Sequence, residues 1–187
     1  TKGLDFDNVD LVGILNADNM LHFPDFRAYE RAFQLMMQVA GRAGRKGKQG
    51  KVLVQTYDKE QEIFSLLKAN DYTSFIDNQI EERKLFSYPP FNRLIGITLK
   101  HKNQRKLDEA SQQLVVLMHK SFSNRVLGPE YPAISRIRNY YHKNVLLKIE
   151  HNASISEAKS ILHIIIEKMK THSDYKAVRF ILDVDPV

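Results

Sequence analysis

Two adjacent prolines, Pro89 and Pro90, place the firmest restriction on how this 187-residue sequence can fold. Proline lacks a backbone N–H, fixes φ near −65° and biases the preceding residue away from helical geometry. The helical spacing of apolar residues that precedes Pro89 therefore has to end here. The sequence predicts a domain boundary at this point, with a first segment at 1–57, a helical connector at 58–92 and a C-terminal domain at 93–187.

The first segment places an amphipathic stretch between two apolar runs. Residues 9–15 are typical of a buried strand, and residues 52–57 are typical of a second strand. Between them, residues 28–43 carry apolar side chains at helical spacing. This strand–helix–strand order favours the end of a parallel α/β layer. Helical patterns at about 59–69 and 71–86 then make up the connector.

The C-terminal segment follows a different order. Its strand patterns cover 94–99, 134–140, 145–150 and 178–184, and its helical patterns cover 107–118 and a stretch opened by Ser154 and Glu157 at capping-box spacing. Strand–helix–strand–strand–helix–strand is the split βαβ, ferredoxin-like order, and we expect 134–140 and 145–150 to form its central hairpin. The predicted fold class is therefore an α/β segment followed by an α+β domain.

Charge is concentrated in the C-terminal domain. The whole chain has a net charge of +6, and residues 93–187 carry 16 Lys/Arg against 9 Asp/Glu. Such a balance favours an anionic partner such as nucleic acid or an acidic peptide, although a well-solvated surface would have the same composition. The absence of cysteine excludes a thiol nucleophile and a zinc–thiolate cluster and fits a reducing cytoplasm. No apolar run approaches the roughly 20 residues of a membrane span, so we expect no membrane partner.

The segment from Gln38 to Arg45 carries the most specific chemistry. Arg42 and Arg45 each follow a glycine, Gly41 and Gly44, at the end of the predicted helix. Glycines let the backbone turn tightly, and an arginine presented there suits contact with a phosphate. The alternative is a solvated, glycine-rich basic turn. A phosphate-binding Gly-x-x-x-x-Gly-Lys-Ser/Thr loop is missing from the sequence, as is an Asp-Glu-x-His run for magnesium.

These residues resemble a known family. Gln38 to Arg45 is similar to motif VI of superfamily 2 helicases, and residues 1–6 are similar to motif V, in the correct order. Further similar segments are Ala17-Asp18, 24–28, Glu30-Arg31, 33–35, 54–57, 88–91, Gly128-Pro129 and 183–186. Together they resemble the primosomal protein N′ helicases, which rebuild the primosome at stalled replication forks.

The resemblance implies an incomplete ATP site. Residues 1–57 would be the second half of the second RecA-like motor lobe, in which Arg42 and Arg45 meet the γ-phosphate of ATP and Gln38 organises the interface, beside Gly41 and Gly44. ATP and Mg²⁺ would be bound by the full-length enzyme, and the chain alone would not hydrolyse ATP. The family's cysteine-rich zinc insertion lies outside this sequence.

Motif V residues are implied to couple nucleotide state to DNA. Gly3 and Asp5 match its coupling positions, and Thr1 and Lys2 are placed to touch a DNA phosphate. Asp5 could equally cap a helix.

A second candidate site lies in the C-terminal domain. Arg136, Arg138 and Tyr140 alternate, so a strand would place two guanidiniums and a phenol on one sheet face. Cations beside an aromatic ring suit single-stranded nucleic acid, and the alternative is a solvated outer face with a tyrosine lid. The family's C-terminal domain resembles ribosomal protein S10 in fold and is implicated in binding DNA and the acidic tail of single-stranded DNA-binding protein. Lys159, near a predicted helix N-terminus, is a candidate contact for that tail.

No metal site is expected in this sequence. The histidines lack metal-ligand spacing, and they are His22, His101, His119, His142, His151, His163 and His172. Asp183 and Asp185 share a strand face, but solvent-side or hairpin-capping roles suit them better than a metal pair.

The combined interpretation is a fragment of an ATP-dependent 3′-to-5′ DNA helicase that restarts stalled forks by primosome assembly. Its expected partners are forked and single-stranded DNA, the single-stranded DNA-binding protein tail and other primosome proteins, in the cytoplasm. The alternative is a non-enzymatic nucleic-acid-binding module.

Overall fold

The computed structural model describes residues 9–44 and 50–186, which divide into two units between Arg83 and Lys84. The first unit holds β1 (Leu11–Ile14), α1 (Asp18–Leu21), α2 (Ala28–Ala40), β2 (Lys51–Val54), α3 (Glu62–Ala69) and most of α4 (Tyr72–Leu85). The second holds β3 (Asn92–His101), α5 (Gln104–Phe122), a 3₁₀ turn (Ser123–Arg125), β4 (Val126–Glu130), β5 (Arg136–Ile137), β6 (Tyr140–Glu150), α6 (Ile155–Thr171) and β7 (Arg179–Val184). The predicted mixture of helices and strands is confirmed.

In the first unit, β1 and β2 pair in parallel, with Ile14 opposite Val54. Parallel neighbours require a crossover, and α2 supplies it between the two strands. Phe33 and Met36 on α2 are completely buried, and Ile14 and Val54 pack against the core that they form. The apolar spacing of α2 therefore serves to cover one face of the parallel pair.

The helices of the predicted connector belong to the core of the first unit. Ile63 and Phe64 of α3 and Phe75 of α4 are buried together with Phe33. The rings of Phe33 and Phe75 stack with centroids 4.1 Å apart. The division between Arg83 and Lys84 thus differs from the sequence-based limits at 57 and 92, because the apolar faces of α3 and α4 are needed to close this core. Helix α4 ends at Leu85, before the two prolines.

The second unit is a sheet with strand order β4-β6-β3-β7, and all neighbours are antiparallel. Every second residue of the central strand β3, including Ile95, Ile97 and Leu99, faces a core shared with α5 and α6. Leu114 of α5 and Leu162 of α6 are completely buried in that core. The alternate residues of each strand point to the other face of the sheet, away from α5 and α6.

The predicted strand at 134–140 is wrong in its extent. β5 contains only Arg136 and Ile137, because Arg138 and Asn139 have φ values of +48° and +65°, which a strand does not accommodate. Those two residues form the turn into β6, so that Ile137 pairs with Tyr140. Arg136, Arg138 and Tyr140 consequently do not share one strand face. β4 supplies the strand that pairs further along β6, with Val126 opposite Leu147.

Candidate nucleic-acid interface

The glycine–arginine segment begins where α2 tightens and ends. The N–H of Gly41 donates to the carbonyl of Met37 at 3.0 Å, as in an α-helix. The next two amides, of Arg42 and Ala43, instead donate to carbonyls three residues back, at 3.1 Å each. Gln38 lies exposed on the last turn of the helix and Arg42 is half-buried. The segment therefore leaves the helix as a narrow turn that carries Arg42, directly after the helical turn that carries Gln38.

Gly44 and Gly50 fix this turn against the start of the parallel strands. Gly44 has φ +78° and donates its N–H to the carbonyl of Val9 at 3.1 Å. A Cβ on Gly50 would collide with the backbone of Ala43 and Gly44. Both positions therefore need glycine, one for a left-handed backbone and one for close approach.

The structure places Gln38 on the last turn of α2 and Gly41, Arg42 and Gly44 in the turn that directly follows it. The other residues predicted for the ATP site and for motif V lie outside the described residues, namely Thr1, Lys2, Gly3, Asp5 and Arg45.

A second group of cations lies in the second unit, at one end of the sheet face opposite α5 and α6. Strand register places Lys100 of β3 opposite both His142 of β6 and Arg179 of β7. Directly opposed like charges destabilise a sheet, because their side chains are neighbours on the same face. We use the name basic corner for the group that consists of Lys100, Lys102, Tyr140 and Arg179.

Tyr140 holds two of the cations of the basic corner. The Arg179 Cζ atom lies 4.9 Å from the centroid of the tyrosine ring, and Lys102 Nζ lies 5.7 Å from it. Cations over an aromatic face are attracted by its quadrupole, so the ring gathers charges that otherwise repel each other.

The cations of the basic corner lack carboxylate partners among the described residues. In that part of the chain, Lys100, Lys102 and Arg179 form no ion pair with Asp or Glu. Elsewhere in the same unit pairing is common: Lys143 Nζ lies 2.7 Å from Asp108 Oδ1, and Arg125 Nε lies 2.8 Å from Glu150 Oε1. The basic corner is therefore a concentrated positive charge available to an external anion.

His142 adjoins the basic corner in surroundings that disfavour its charged form. Its side chain is buried, which lowers its pKa, and the charge of Lys100 lowers the pKa further. Both effects disfavour the imidazolium form. The positive charge of the corner is thus carried by lysine and arginine.

The predicted group of Arg136, Arg138 and Tyr140 is divided by the hairpin. Arg136 Cζ lies 5.1 Å from the ring centroid of Tyr141, the neighbour of Tyr140. Arg138 is exposed at the turn, and Tyr140 lies in the basic corner. Sequence reasoning missed Lys100, Lys102 and Arg179, because only the strand register brings these distant residues beside Tyr140.

Lys159 lies exposed on α6, whose first turn is capped by Ser154 as predicted: the Ser154 Oγ accepts the N–H of Glu157 at 3.2 Å. The positive charge of Lys159 acts on a carboxylate of this chain, that of Asp185. The pKa of Asp185 is lowered chiefly by a hydrogen bond from Arg93, and the charge of Lys159 adds a smaller effect.

Neither a metal cluster nor a membrane span occurs within the described ranges. Across 9–44 and 50–186, no three His, Asp or Glu side chains are grouped as metal ligands. Over the same ranges, no helix has the length and apolar character needed to cross a membrane.

Comparison with known proteins places these features in a family. The family described as the primosomal protein N C-terminal domain matches residues 84–187, which coincide with the second unit. The chain is 36% identical over 187 residues to the Replication restart protein PriA of Bacillus subtilis. This match covers 99% of the chain and 23% of the Bacillus subtilis protein. It is 37% identical over 150 residues to the protein of the same name from Synechocystis, covering 79% of the chain and 18% of that protein. The chain is 33% identical over 150 residues to the Thermotoga maritima protein of that name, and this match covers 80% of the chain and 20% of that protein.

The chain spans about a fifth of the length of these relatives. The family match covers more than half of its residues and the relatives extend the similarity to the first unit. The chain therefore belongs to the primosomal protein N C-terminal domain family.

Proposed function

We propose that this chain is part of an ATP-dependent 3′-to-5′ DNA helicase that restarts stalled replication forks by primosome assembly, and that its second unit binds DNA. The relative that matches 99% of the chain is named a replication restart protein, which supports a role at replication forks. The DNA-binding role depends mainly on one observation, the basic corner with its cations free of carboxylate partners within the described residues.

The chemistry of the basic corner suits a nucleic-acid backbone. Each phosphate that meets a lysine or arginine releases condensed counterions, so such binding weakens as salt rises. Tyr140 adds an aromatic face beside the cations, and single strands combine phosphate contacts with stacking on such faces. Forked DNA supplies both duplex and single-stranded segments to the same protein.

The finer fold assignments are part of this proposal. The parallel β1–α2–β2 unit supports a RecA-like lobe, and so do the exposed Leu11 and Leu53, because parallel sheets are normally covered on both faces. The order β4-β6-β3-β7 supports a ferredoxin-like, S10-like domain, in which the two strands that follow helices occupy the edges.

In the complete enzyme we assign the glycine–arginine turn to ATP. Arg42 and Arg45 would stabilise charge on the transferring phosphoryl group across the lobes, and Gln38 would organise that interface. ATP and Mg²⁺ would be held on the other lobe, because this sequence lacks a phosphate-binding loop. Gly3 and Asp5 would couple this site to DNA held in part by Thr1 and Lys2.

Partner binding completes the proposal. Lys159 is our candidate contact for the acidic tail of single-stranded DNA-binding protein, because it is exposed near the start of α6, where an anion is favoured. The full-length protein would also bind other primosome proteins.

The basic corner is tested by fluorescence anisotropy with single-stranded and forked DNA at two salt concentrations. The triple variant Lys100→Ala, Lys102→Ala, Arg179→Ala is expected to bind at least tenfold more weakly, and its log–log salt slope should fall by roughly 0.7 for each single-strand phosphate that it no longer binds. The matched control is Lys120→Ala, Lys168→Ala, Lys170→Ala, which removes the same charge from exposed positions on α5 and α6. Equal weakening in both variants would mean that only net charge matters and would remove the site.

The helicase assignment is tested separately with Arg45→Ala in the full-length protein. We expect loss of DNA-stimulated ATPase activity with DNA binding largely intact. For the isolated chain, the missing phosphate-binding loop favours the alternative function, a non-enzymatic nucleic-acid-binding module. Under that alternative, Arg42 and Arg45 only grip phosphates, so their substitution would weaken DNA binding and ATP would have no effect.

A further inference from the structure

The turn between β5 and β6 puts an arginine where glycine, asparagine or aspartate is favoured. Arg138 and Asn139 both have positive φ, +48° and +65°, the combination that a two-residue type I′ hairpin turn requires. Asn139 suits this conformation, whereas Arg138 is strained in it. A tight turn by itself therefore does not account for arginine at position 138.

The two arginines of the hairpin are used differently. Arg136 lies over the Tyr141 ring, 5.1 Å from its centroid, and its Nη2 donates to the Asn139 Oδ1 at 3.2 Å. These contacts hold the turn closed from within the hairpin. The guanidinium of Arg138 is exposed and, among the described residues, has no hydrogen bond or ion pair.

We propose that Arg138 is held at this tip to enter a groove of duplex DNA. The inference rests on the proposed DNA-binding function of the second unit and names duplex DNA as the ligand of the hairpin.

Reach distinguishes a groove contact from a phosphate contact. Phosphates stand on the outside of the duplex, where any exposed lysine or arginine on a broad surface meets them. Base edges lie at the groove floor, and the minor groove is only about 6 Å wide, so a protruding side chain reaches them best. Arginine also loses its hydration more readily than lysine and presents a planar set of donors, which suits insertion into a groove.

The experiment compares the 187-residue chain with Arg138→Gly and Arg138→Lys on a duplex and on a single strand of the same sequence. Glycine keeps the turn and removes the guanidinium, whereas lysine keeps the charge. We expect Arg138→Gly to weaken duplex binding roughly five- to twentyfold, with a smaller effect on the single strand, and Arg138→Lys to recover less than half of that loss on a logarithmic scale. Lys120→Ala serves as the control for the removal of one surface charge.

Groove ligands identify the contact. Netropsin, which occupies the minor groove, or methyl green, which occupies the major groove, should compete with the wild-type chain and lose that effect on the Arg138→Gly variant. If Arg138→Lys binds as well as wild type and neither ligand competes, Arg138 makes only a phosphate contact and the inference is overturned. If the wild-type chain binds DNA and Arg138→Gly binds equally well, the inference fails while the DNA-binding function stands. If the wild-type chain binds no DNA, both fail.

Discussion

The guanidinium of Arg179 on the last strand lies 4.9 Å from the ring centroid of Tyr140, two strands away across the sheet. Strand β3 runs between them and contributes Lys100, and Lys102 follows that strand into the same corner. Residues far apart in the sequence therefore form one charged surface only when all three strands are paired. A surface of this kind depends on the complete fold of the second unit. Each test therefore has to distinguish a variant that has lost DNA binding from one that has lost its folded structure.

Tyr140 offers the first such test. Tyr140→Leu removes the ring that gathers Lys102 and Arg179, and Tyr140→Phe keeps it. Because each exposed cation–π contact contributes about 0.5–1 kcal/mol and the leucine variant loses two of them, we expect it to bind single-stranded DNA roughly five- to thirtyfold more weakly. The phenylalanine variant should bind within about twofold of wild type. Anisotropy titration measures both, with thermal unfolding to confirm that the variants are folded. Equal losses in both variants would assign the effect to the hydroxyl group.

Gly128 provides a prediction about the sheet alone. Its φ is +100°, and a Cβ there would lie 2.8 Å from the carbonyl oxygen of Asn144 on β6. We expect Gly128→Ala to lower the free energy of unfolding by about 1–3 kcal/mol, through backbone strain and displacement of β4. Chemical denaturation checks this. Gly96→Ala is the matched control, because its Cβ would meet no atom closer than 3.6 Å and a change below about 1 kcal/mol is expected.

Local signals allowed much of the secondary structure to be predicted. The 3.6-residue spacing of Phe33 and Met36 identified α2, and the prolines at 89 and 90 correctly ended the helix before them. The alternation of Ile95, Ile97 and Leu99 identified the central strand β3. Each of these signals acts over a few neighbouring residues, and a single sequence contains that information in full.

Longer-range relationships were not accessible in the same way. The alternation of Arg136, Arg138 and Tyr140 has the period of a strand, but positive φ at Arg138 turns the chain there. Arginine gives no sequence signal for such a turn, unlike the Asn-Gly or Asp-Gly pairs that usually mark one. The basic corner depends on strand register, which sets whether Lys100 faces Arg179 and cannot be read from either strand alone.

Ser154 gives a prediction about a helix end. Its Oγ accepts the N–H of Glu157 at 3.2 Å at the start of α6. Ser154→Ala leaves that amide without its side-chain acceptor, so we expect a loss of about 1 kcal/mol in the free energy of unfolding. Ser156→Ala is the control, since it replaces a side chain inside the first turn and should be neutral or slightly stabilising. Equal effects of the two substitutions in urea denaturation would contradict the cap.

Asp185 links the end of β7 to β3, and its contribution should depend on pH. Its carboxylate accepts a hydrogen bond from Arg93 Nη2 at 2.9 Å and another from the N–H of Leu94 at 3.2 Å, and these lower its pKa below the ordinary value of 3.8. Stability from a depressed pKa is present above the unfolded-state value and is lost as pH falls through the folded-state value. We therefore expect Asp185→Asn to lower the free energy of unfolding by about 0.5–1 kcal/mol near pH 7. The value is modest because the Arg93–Asp185 pair is partly exposed, and asparagine tolerates the same positive φ.

The difference in the free energy of unfolding between Asp185→Asn and wild type should shrink steadily as the pH of the denaturation experiment is lowered below about 4, since the wild-type carboxylate is then increasingly protonated. Asp183→Asn, at an exposed position on the same strand, is the control and should show no such convergence. A loss of stability for Asp185→Asn that stays constant down to about pH 2 would show that the shape of the side chain, rather than its charge, holds the two strands together.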